Sequence, residues 1–280
     1  MEAVLRVGDL EVVALRDCML SLSLDFQFPD TPRDALVPFR ARYPGMLSED
    51  RWMPVVRAFL IRSPSWNVLF DTGIGTLPSI ASAFRVSGAL LDELRAIRCA
   101  ADALETVVLS HIHLDHAGGV TRPDGDAYAP AFPRARYLLH RADLDLAREW
   151  VARAPAYGET VLELDRRGLL EDAIDGARVN DAITLVHTPG HTPGSMSLLV
   201  RSGNAGAMLI ADVLPNPMLI TEPEWRFGSD KDASQAAATR IAVMERIERE
   251  GLVAVPTHMP EPFGGFVRVS GKRYWRVARD

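Results

Sequence analysis

The sequence predicts an α/β protein in which mixed β-sheet is covered by helices. Three observations carry that expectation. Short apolar segments of strand length outnumber helical ones and come in hairpin pairs. One long amphipathic helix stands near the C-terminus. Clusters of histidine and aspartate each follow directly on an apolar strand. The 280 residues are read as one domain over 1–280. With 48% hydrophobic and 24% charged residues, the chain has the composition of a soluble globular protein.

The elements follow in order. Ala3–Val7 and Glu11–Leu15 are strands. Residues 21–53, with Pro29, Pro32, Pro38 and Pro44 and several aromatics, read as an irregular arm or covering loop. Val55–Ile61 and Asn67–Phe70 form a hairpin across Ser63-Pro64-Ser65, and the second strand runs into the polar turn Asp71-Thr72-Gly73-Ile74-Gly75. Residues 89–103 read as helical. Thr106-Val107-Val108-Leu109 is a buried strand. Arg136–Leu139 is a strand and Asp143–Arg153 a helix. Ile183–His187 is a further strand, followed by the pair Met196–Arg201 and Ala207–Ile210. In the helix Asp232–Arg249, Asp232 and Gln235 resemble a capping box, and Ala237, Ile241, Met244 and Ile247 mark a buried stripe. Leu252–Val255 is read as the last strand.

The chemistry concentrates after these strands. His111, His113, Asp115 and His116 carry three of the seven histidines within six residues. Burying four such groups unpaired would be costly, so they read as ligands of a divalent metal. His191, in the rigid loop His187-Thr188-Pro189-Gly190-His191-Thr192-Pro193-Gly194, is a further ligand candidate. Asp212 and His258 also follow apolar strands. If the strands share a sheet, all seven groups converge on one edge. His111, His113 and His191 would then hold one metal, Asp115, His116 and His258 a second, and Asp212 would bridge. Asp71 either closes a turn or orients a ligand imidazole. His140 and His187 read as hydrogen-bonded structural residues. Some of Phe26, Phe28, Trp52, Met53, Trp225, Phe227, Phe263 and Phe266 are expected to form an apolar pocket beside the metals.

The motif set His111-x-His113-x-Asp115-His116, His191 in Thr-Pro-Gly-His-Thr-x-Gly, Asp212 and His258, with Asp71-Thr72-Gly73 ahead of it, resembles the metallo-β-lactamase fold superfamily. The resemblance spans about residues 1–270. It implies an αβ/βα four-layer sandwich, two mixed sheets with outer helices, and a dinuclear site at the sandwich edge. Trp225, Asp230-x-Asp232, Ala237-Ala238-Thr239-Arg240 and His258-x-x-x-Pro262-x-Gly264-Gly265 look like the methyl parathion hydrolase and lactonase branch. The chain departs from relatives at Ser195, where acyl-homoserine lactonases commonly carry histidine, and at Ala211, where glycine is usual.

The resemblance implies a hydrolase that uses a metal-bridging hydroxide to cleave lactones or carboxylic esters, with phosphotriesters as a further class. Asp115 and Asp212 are its catalytic candidates, Asp115 passing a proton to the leaving group. Two divalent ions are expected, with Zn²⁺ favoured and Mn, Co or Fe compatible with nitrogen and oxygen ligands. A thioesterase of glyoxalase II type, a mononuclear-iron sulfur dioxygenase and a non-catalytic binding protein compete with this reading. The net charge of −6, without a basic block, argues against nucleic acid. No apolar run reaches membrane-span length, and Met1-Glu2-Ala3-Val4-Leu5-Arg6 lacks the pattern of an export signal. Cys18 and Cys99 read as free thiols, which fits a cytoplasmic protein acting on a small molecule. The 21–53 arm could clasp a second subunit in a homodimer.

Overall fold

A computed structural model describes residues 3–278; Met1, Glu2, Arg279 and Asp280, at the ends of the expected 1–280 domain, lie outside the described residues. Two sheets dominate. The first runs β1 (Ala3–Val7), β2 (Leu10–Met19), β3 (Val55–Arg62), β4 (Asn67–Phe70), β5 (Thr106–Val108), β6 (Arg136–Leu139) and β7 (Leu170–Asp172), in that spatial order. The second runs β8 (Ile183–His187), β9 (Met196–Ser202), β10 (Ala205–Leu209), β11 (Val253–Val255), β12 (Gly264–Val269) and β13 (Lys272–Val277). Strands β1 to β4 pair antiparallel, and β4 to β7 pair parallel. In the second sheet only β10 and β11 are parallel. Both sheets are mixed, as expected.

The inner faces meet in one core. Val12, Phe59, Phe70 and Val108 of the first sheet pack with Leu185, Leu198, Leu209 and Val255 of the second. Each buried side chain of this kind contributes roughly 1.5–3 kcal/mol. The outer face of the first sheet is covered by helices Leu90–Ala96, Arg141–Trp150 and Val161–Arg166, through Leu94, Leu146 and Leu164. Helix Ala233–Glu250 covers the second sheet through Val243, Met244 and Ile247 against Met208 and Ala254. The result is a four-layer αβ/βα sandwich. Among the described residues no helix is long and apolar enough to cross a membrane.

Four local expectations are corrected. Residues 21–53 are not irregular throughout: they hold helices Leu24–Gln27 and Arg33–Arg42, and Leu22–Ser23 pairs with Arg51–Trp52. The expected helix 89–103 ends at Ala96, because the chain breaks into a left-handed turn at Arg98 (φ 58°) and resumes only as a 3₁₀ turn at Ala101–Ala103. Leu252–Val255 is not the last strand; β12 and β13 follow as a hairpin. Its turn residues Ser270 and Gly271 both have positive φ, the geometry a tight hairpin requires. In helix Ala233–Glu250 the buried residues are Ala236, Arg240, Val243, Met244 and Ile247, so the stripe is shifted and includes an arginine.

Candidate metal centre

The parallel strand pairs aim four polar loops at one edge of the sandwich. Strand β4 leads to Asp71, β5 to His111, and β10 and β11 to Asp212 and His258. The loop after β8 brings His191. His113 directly precedes the short helix Leu114–Ala117, whose turn carries Asp115 and His116. Gly118-Gly119 follow directly on this helix. The two glycines admit the 72–75 loop: a Cβ on Gly118 would lie 2.5 Å from the Ile74 carbonyl oxygen.

All seven expected groups come together. His111, His113 and His191 each offer a nitrogen, all within 4.8 Å of one another. Asp115, His116 and His258 form a second such group. Asp212 stands between them. Its Oδ2 is 3.2 Å from His191 Nε2, while its Oδ1 is 3.1 Å from His258 Nε2 and 3.4 Å from His116 Nε2.

Hydrogen bonds on the far side of each ring select the tautomer. His116 donates from Nδ1 to Asp71 Oδ2 at 2.8 Å. Ser110 gives its hydroxyl proton to the same oxygen at 2.9 Å, which leaves its oxygen to accept from His111 Nδ1, also at 2.9 Å. His191 donates from Nδ1 to Asp230 Oδ1 at 2.9 Å, and His258 from Nδ1 to the Val55 carbonyl at 2.9 Å. Four Nε2 lone pairs therefore point inward. Asp71 does more than close a turn: it orients His116 and fixes the Ser110 link to His111.

Inward lone pairs cannot bond to one another. His116 Nε2 and His258 Nε2 stand 3.2 Å apart, and His113 Nδ1 is 3.0 Å from both His111 Nε2 and His191 Nε2. Asp212 Oδ1 is buried without a hydrogen-bond partner. Nitrogen and carboxylate donors packed this way demand cations between them, and the set fits two divalent metals. Without them protons must serve. Burial opposes a charge on His191, but Asp212 and Asp230 raise its imidazole to about 9. Burial likewise opposes a charge on His116, yet Asp212 and Asp71 hold it well above its ordinary value. Burial and the neighbouring His191 drive His113 down to about 3.

Three buried charged residues, absent from the sequence reading as positioning groups, hold the ligand loops. Asp143 accepts from Ile112 N–H at 3.0 Å, Gly194 N–H at 2.6 Å and the Thr192 hydroxyl at 2.8 Å, joining the first histidine cluster to the His191 loop. Arg57 of β3 donates to the carbonyls of Thr257, Met259 and Pro260 around His258. Arg240 donates to Asp230 and to the Val213 carbonyl next to Asp212. His140 and His187 are structural, as expected. Their rings stack at 4.5 Å, His140 caps helix Arg141–Trp150, and His187 meets the Pro193 carbonyl at 2.9 Å.

A family model described as Metallo-beta-lactamase superfamily matches residues 54–258. The chain belongs to this superfamily. Among its relatives, an N-acyl homoserine lactonase AttM of Agrobacterium fabrum is 30% identical over 129 residues, 43% of this chain and 44% of that protein. An acyl-coenzyme A thioesterase MBLAC2 of Homo sapiens is 30% identical over 149 residues, 50% of this chain and 52% of that one. The matched stretch thus spans about half the length of these relatives or less. Two solved structures share the fold. The hydrolase AbOPH aligns with TM-score 0.85 and 21% identity, covering 100% of this chain and 98% of that one. AidC, a dizinc quorum-quenching lactonase, aligns with TM-score 0.84 at the same identity and coverage.

In this member of the superfamily a cavity of about 210 Å³ opens on the candidate metal centre. His113, Asp115, His191, Asp212 and His258 line its floor. Of the aromatics expected there, only Trp52 and Phe227 contribute. Trp225 packs edge-on against Phe28 and Phe39 instead, and Phe26 is exposed. Leu20, Leu22, Phe84, Leu114 and Tyr157 complete the apolar walls. Ala211 sits at φ 39° and Asp71 at φ 63°. The departure from glycine at 211 therefore carries backbone strain beside Asp212.

Proposed function

We propose that the chain is a dinuclear metal hydrolase of lactones or carboxylic esters, with phosphotriesters as a side activity. The observation that carries this reading is the placement of Asp212, one oxygen facing His191 and the other facing His116 and His258. His111, His113 and His191 would hold one cation and Asp115, His116 and His258 the other, with Asp212 shared. Zinc suits these donors best. When bound, such a pair supplies a Lewis acid and lowers the pKa of water to about 7.

The chain's residues do the rest. Asp71, Ser110, Asp230 and the Val55 carbonyl hold the imidazoles so that only lone pairs face the centre. The apolar walls exclude bulk water and bind the organic part of the substrate. Asp115 lines the cavity and is more exposed than Asp212, so it is the carboxylate placed to pass a proton to a departing oxygen. The lactonase relatives support the ester or lactone class. The thioesterase relative supports a second reading, but among the described residues no Lys or Arg lines the cavity to meet the phosphates of a coenzyme A thioester. Two buried, unpaired cysteines accord with a reducing compartment such as the cytoplasm.

The test is metal analysis of the purified protein, coupled to a panel of lactone, aryl ester, thioester and phosphotriester substrates. Two metals per chain and turnover of the first two classes are expected. Asp212→Ala should lose metal and activity together. A two-metal protein that hydrolyses nothing on the panel, or retained activity in the variant, defeats the reading.

A further inference from the structure

One wall of the cavity is polar and serves no metal ligand. Gln27 ends helix Leu24–Gln27 and is only 4% exposed. Its backbone carbonyl accepts from Gly228 N–H at 2.8 Å, and its side-chain Oε1 accepts from the Ser229 hydroxyl at 2.9 Å. So close a backbone approach needs glycine at 228, since a Cβ there would collide with the Phe26 carbonyl oxygen. The carboxamide is thus fixed at both its backbone and its oxygen. Its nitrogen carries two N–H donors, and among the described residues no group accepts from them. Gln27 and Ser229 both line the cavity, beside Trp52 and Phe227. The same segment serves the metal centre: Phe227 stacks on His191 at 6.3 Å, and Asp230 holds His191 Nδ1. The free amide is therefore tied to the His191 side of the centre.

We infer that Gln27 Nε2 donates to a neutral acceptor on the substrate, an amide or ketone carbonyl outside the bond that is cleaved. The chain then selects esters or lactones that carry a second carbonyl. This rests on the hydrolase reading above and deepens it. A donor that lines the cavity without a partner in the protein is free to meet one in the ligand. Because the carboxamide is already fixed, binding orders little that is not ordered beforehand. A site built to hydrogen-bond a substrate group also discriminates against the analogue that lacks it. Among the described residues no Lys or Arg lines the cavity to pair with an anionic acceptor, and a single carboxamide N–H suits an uncharged one.

The experiment compares two aryl esters of equal chain length on the metal-loaded protein, 4-nitrophenyl 4-acetamidobutanoate and 4-nitrophenyl heptanoate. Gln27→Leu should lower the amide-to-alkyl ratio of kcat/KM about tenfold, the value of one hydrogen bond. Ser229→Ala, which frees the carboxamide while keeping its N–H groups, should lower it less. An unchanged ratio in Gln27→Leu overturns the inference. A second measurement does not depend on turnover. N-pentylacetamide is titrated against tryptophan fluorescence, since Trp52 lines the cavity, and Gln27→Leu should raise its Kd about tenfold. Equal Kd values overturn the inference. If neither ester is cleaved while the amide binds in a Gln27-dependent way, the hydrolase reading fails and the assignment of Gln27 stands.

Discussion

Arg240 and Asp230 form a buried ion pair, with guanidinium Nη2 3.0 Å from Asp230 Oδ2 and both side chains 1% exposed. The other oxygen of Asp230 accepts from His191 Nδ1, and the same guanidinium reaches the carbonyl of Val213 at 3.2 Å. One helical arginine thus steadies both the Asp230 segment that holds His191 and the turn that carries Asp212. Arg240→Met leaves Asp230 buried without its partner, which costs about 3–5 kcal/mol of stability. Through His191 it should also weaken metal binding about 10–100-fold. Chelator competition on folded protein reads that loss, and wild-type metal affinity in the variant would refute the link. Arg240→Lys keeps the charge but not the planar fork, so it should recover stability more than affinity.

Trp52 and Trp225 separate the pocket from the core. Trp52 lines the cavity and meets His258 edge-on at 5.9 Å, whereas Trp225 packs on Phe28 and Phe39. Trp52→Ala should raise KM several-fold more than it lowers kcat, because it removes contact area rather than a metal ligand. Trp225→Ala should lower Tm and leave KM close to wild type. Steady-state kinetics on the preferred substrate, with thermal melts of both variants, distinguishes the two, and equal KM effects would refute the assignment of Trp52 alone to the substrate pocket.

Ala211 holds a left-handed conformation at φ 39° immediately before Asp212. A residue with a Cβ is strained there, by roughly 1–2 kcal/mol relative to glycine. Ala211→Gly should therefore stabilise the protein by about 1 kcal/mol, with metal content unchanged. Denaturant unfolding of metal-free protein measures it. A variant less stable than wild type would mean that the entropy glycine adds to the unfolded chain outweighs the relieved strain.

The convergence of the seven candidate ligands was legible because each stands just past an apolar strand, so strand ends and polar residues mark the same edge. What holds the ligands was not. Arg240 lies where helical periodicity calls for an apolar side chain, and only its partner Asp230 makes its burial tolerable. Arg57 and Asp143 act on backbone groups of loops distant in sequence, and spacing carries no record of that. Pro38 inside helix Arg33–Arg42 removes a backbone donor and hides that helix. The β12–β13 hairpin is largely solvent-facing and lacks the apolar run that marks the buried strands. Gln27 lies in the 21–53 stretch read as an irregular arm, and the groups that close on it, Gly228 and Ser229, are distant in sequence.

Asp143 offers a test of the loop clamp by pH. Burial pushes its carboxyl up to about 6 from 3.8, against the donors Thr192, Gly194 and Ile112. The folded protein therefore binds this proton more tightly than the unfolded chain does. Its favourable contribution is fully present below pH 3.8 and is lost as pH rises through about 6. Asp143→Asn has no proton to lose, but it places an N–H₂ group where Asp143 accepts from Gly194 or Thr192. It should be the less stable protein at pH 4, and its deficit should shrink by on the order of 3 kcal/mol between pH 4 and pH 7. Urea unfolding of both metal-free proteins at intervals across that range measures the difference. A deficit that stays constant, or widens as pH rises, would mean that the three donors outweigh burial and that the carboxylate is the form the fold prefers.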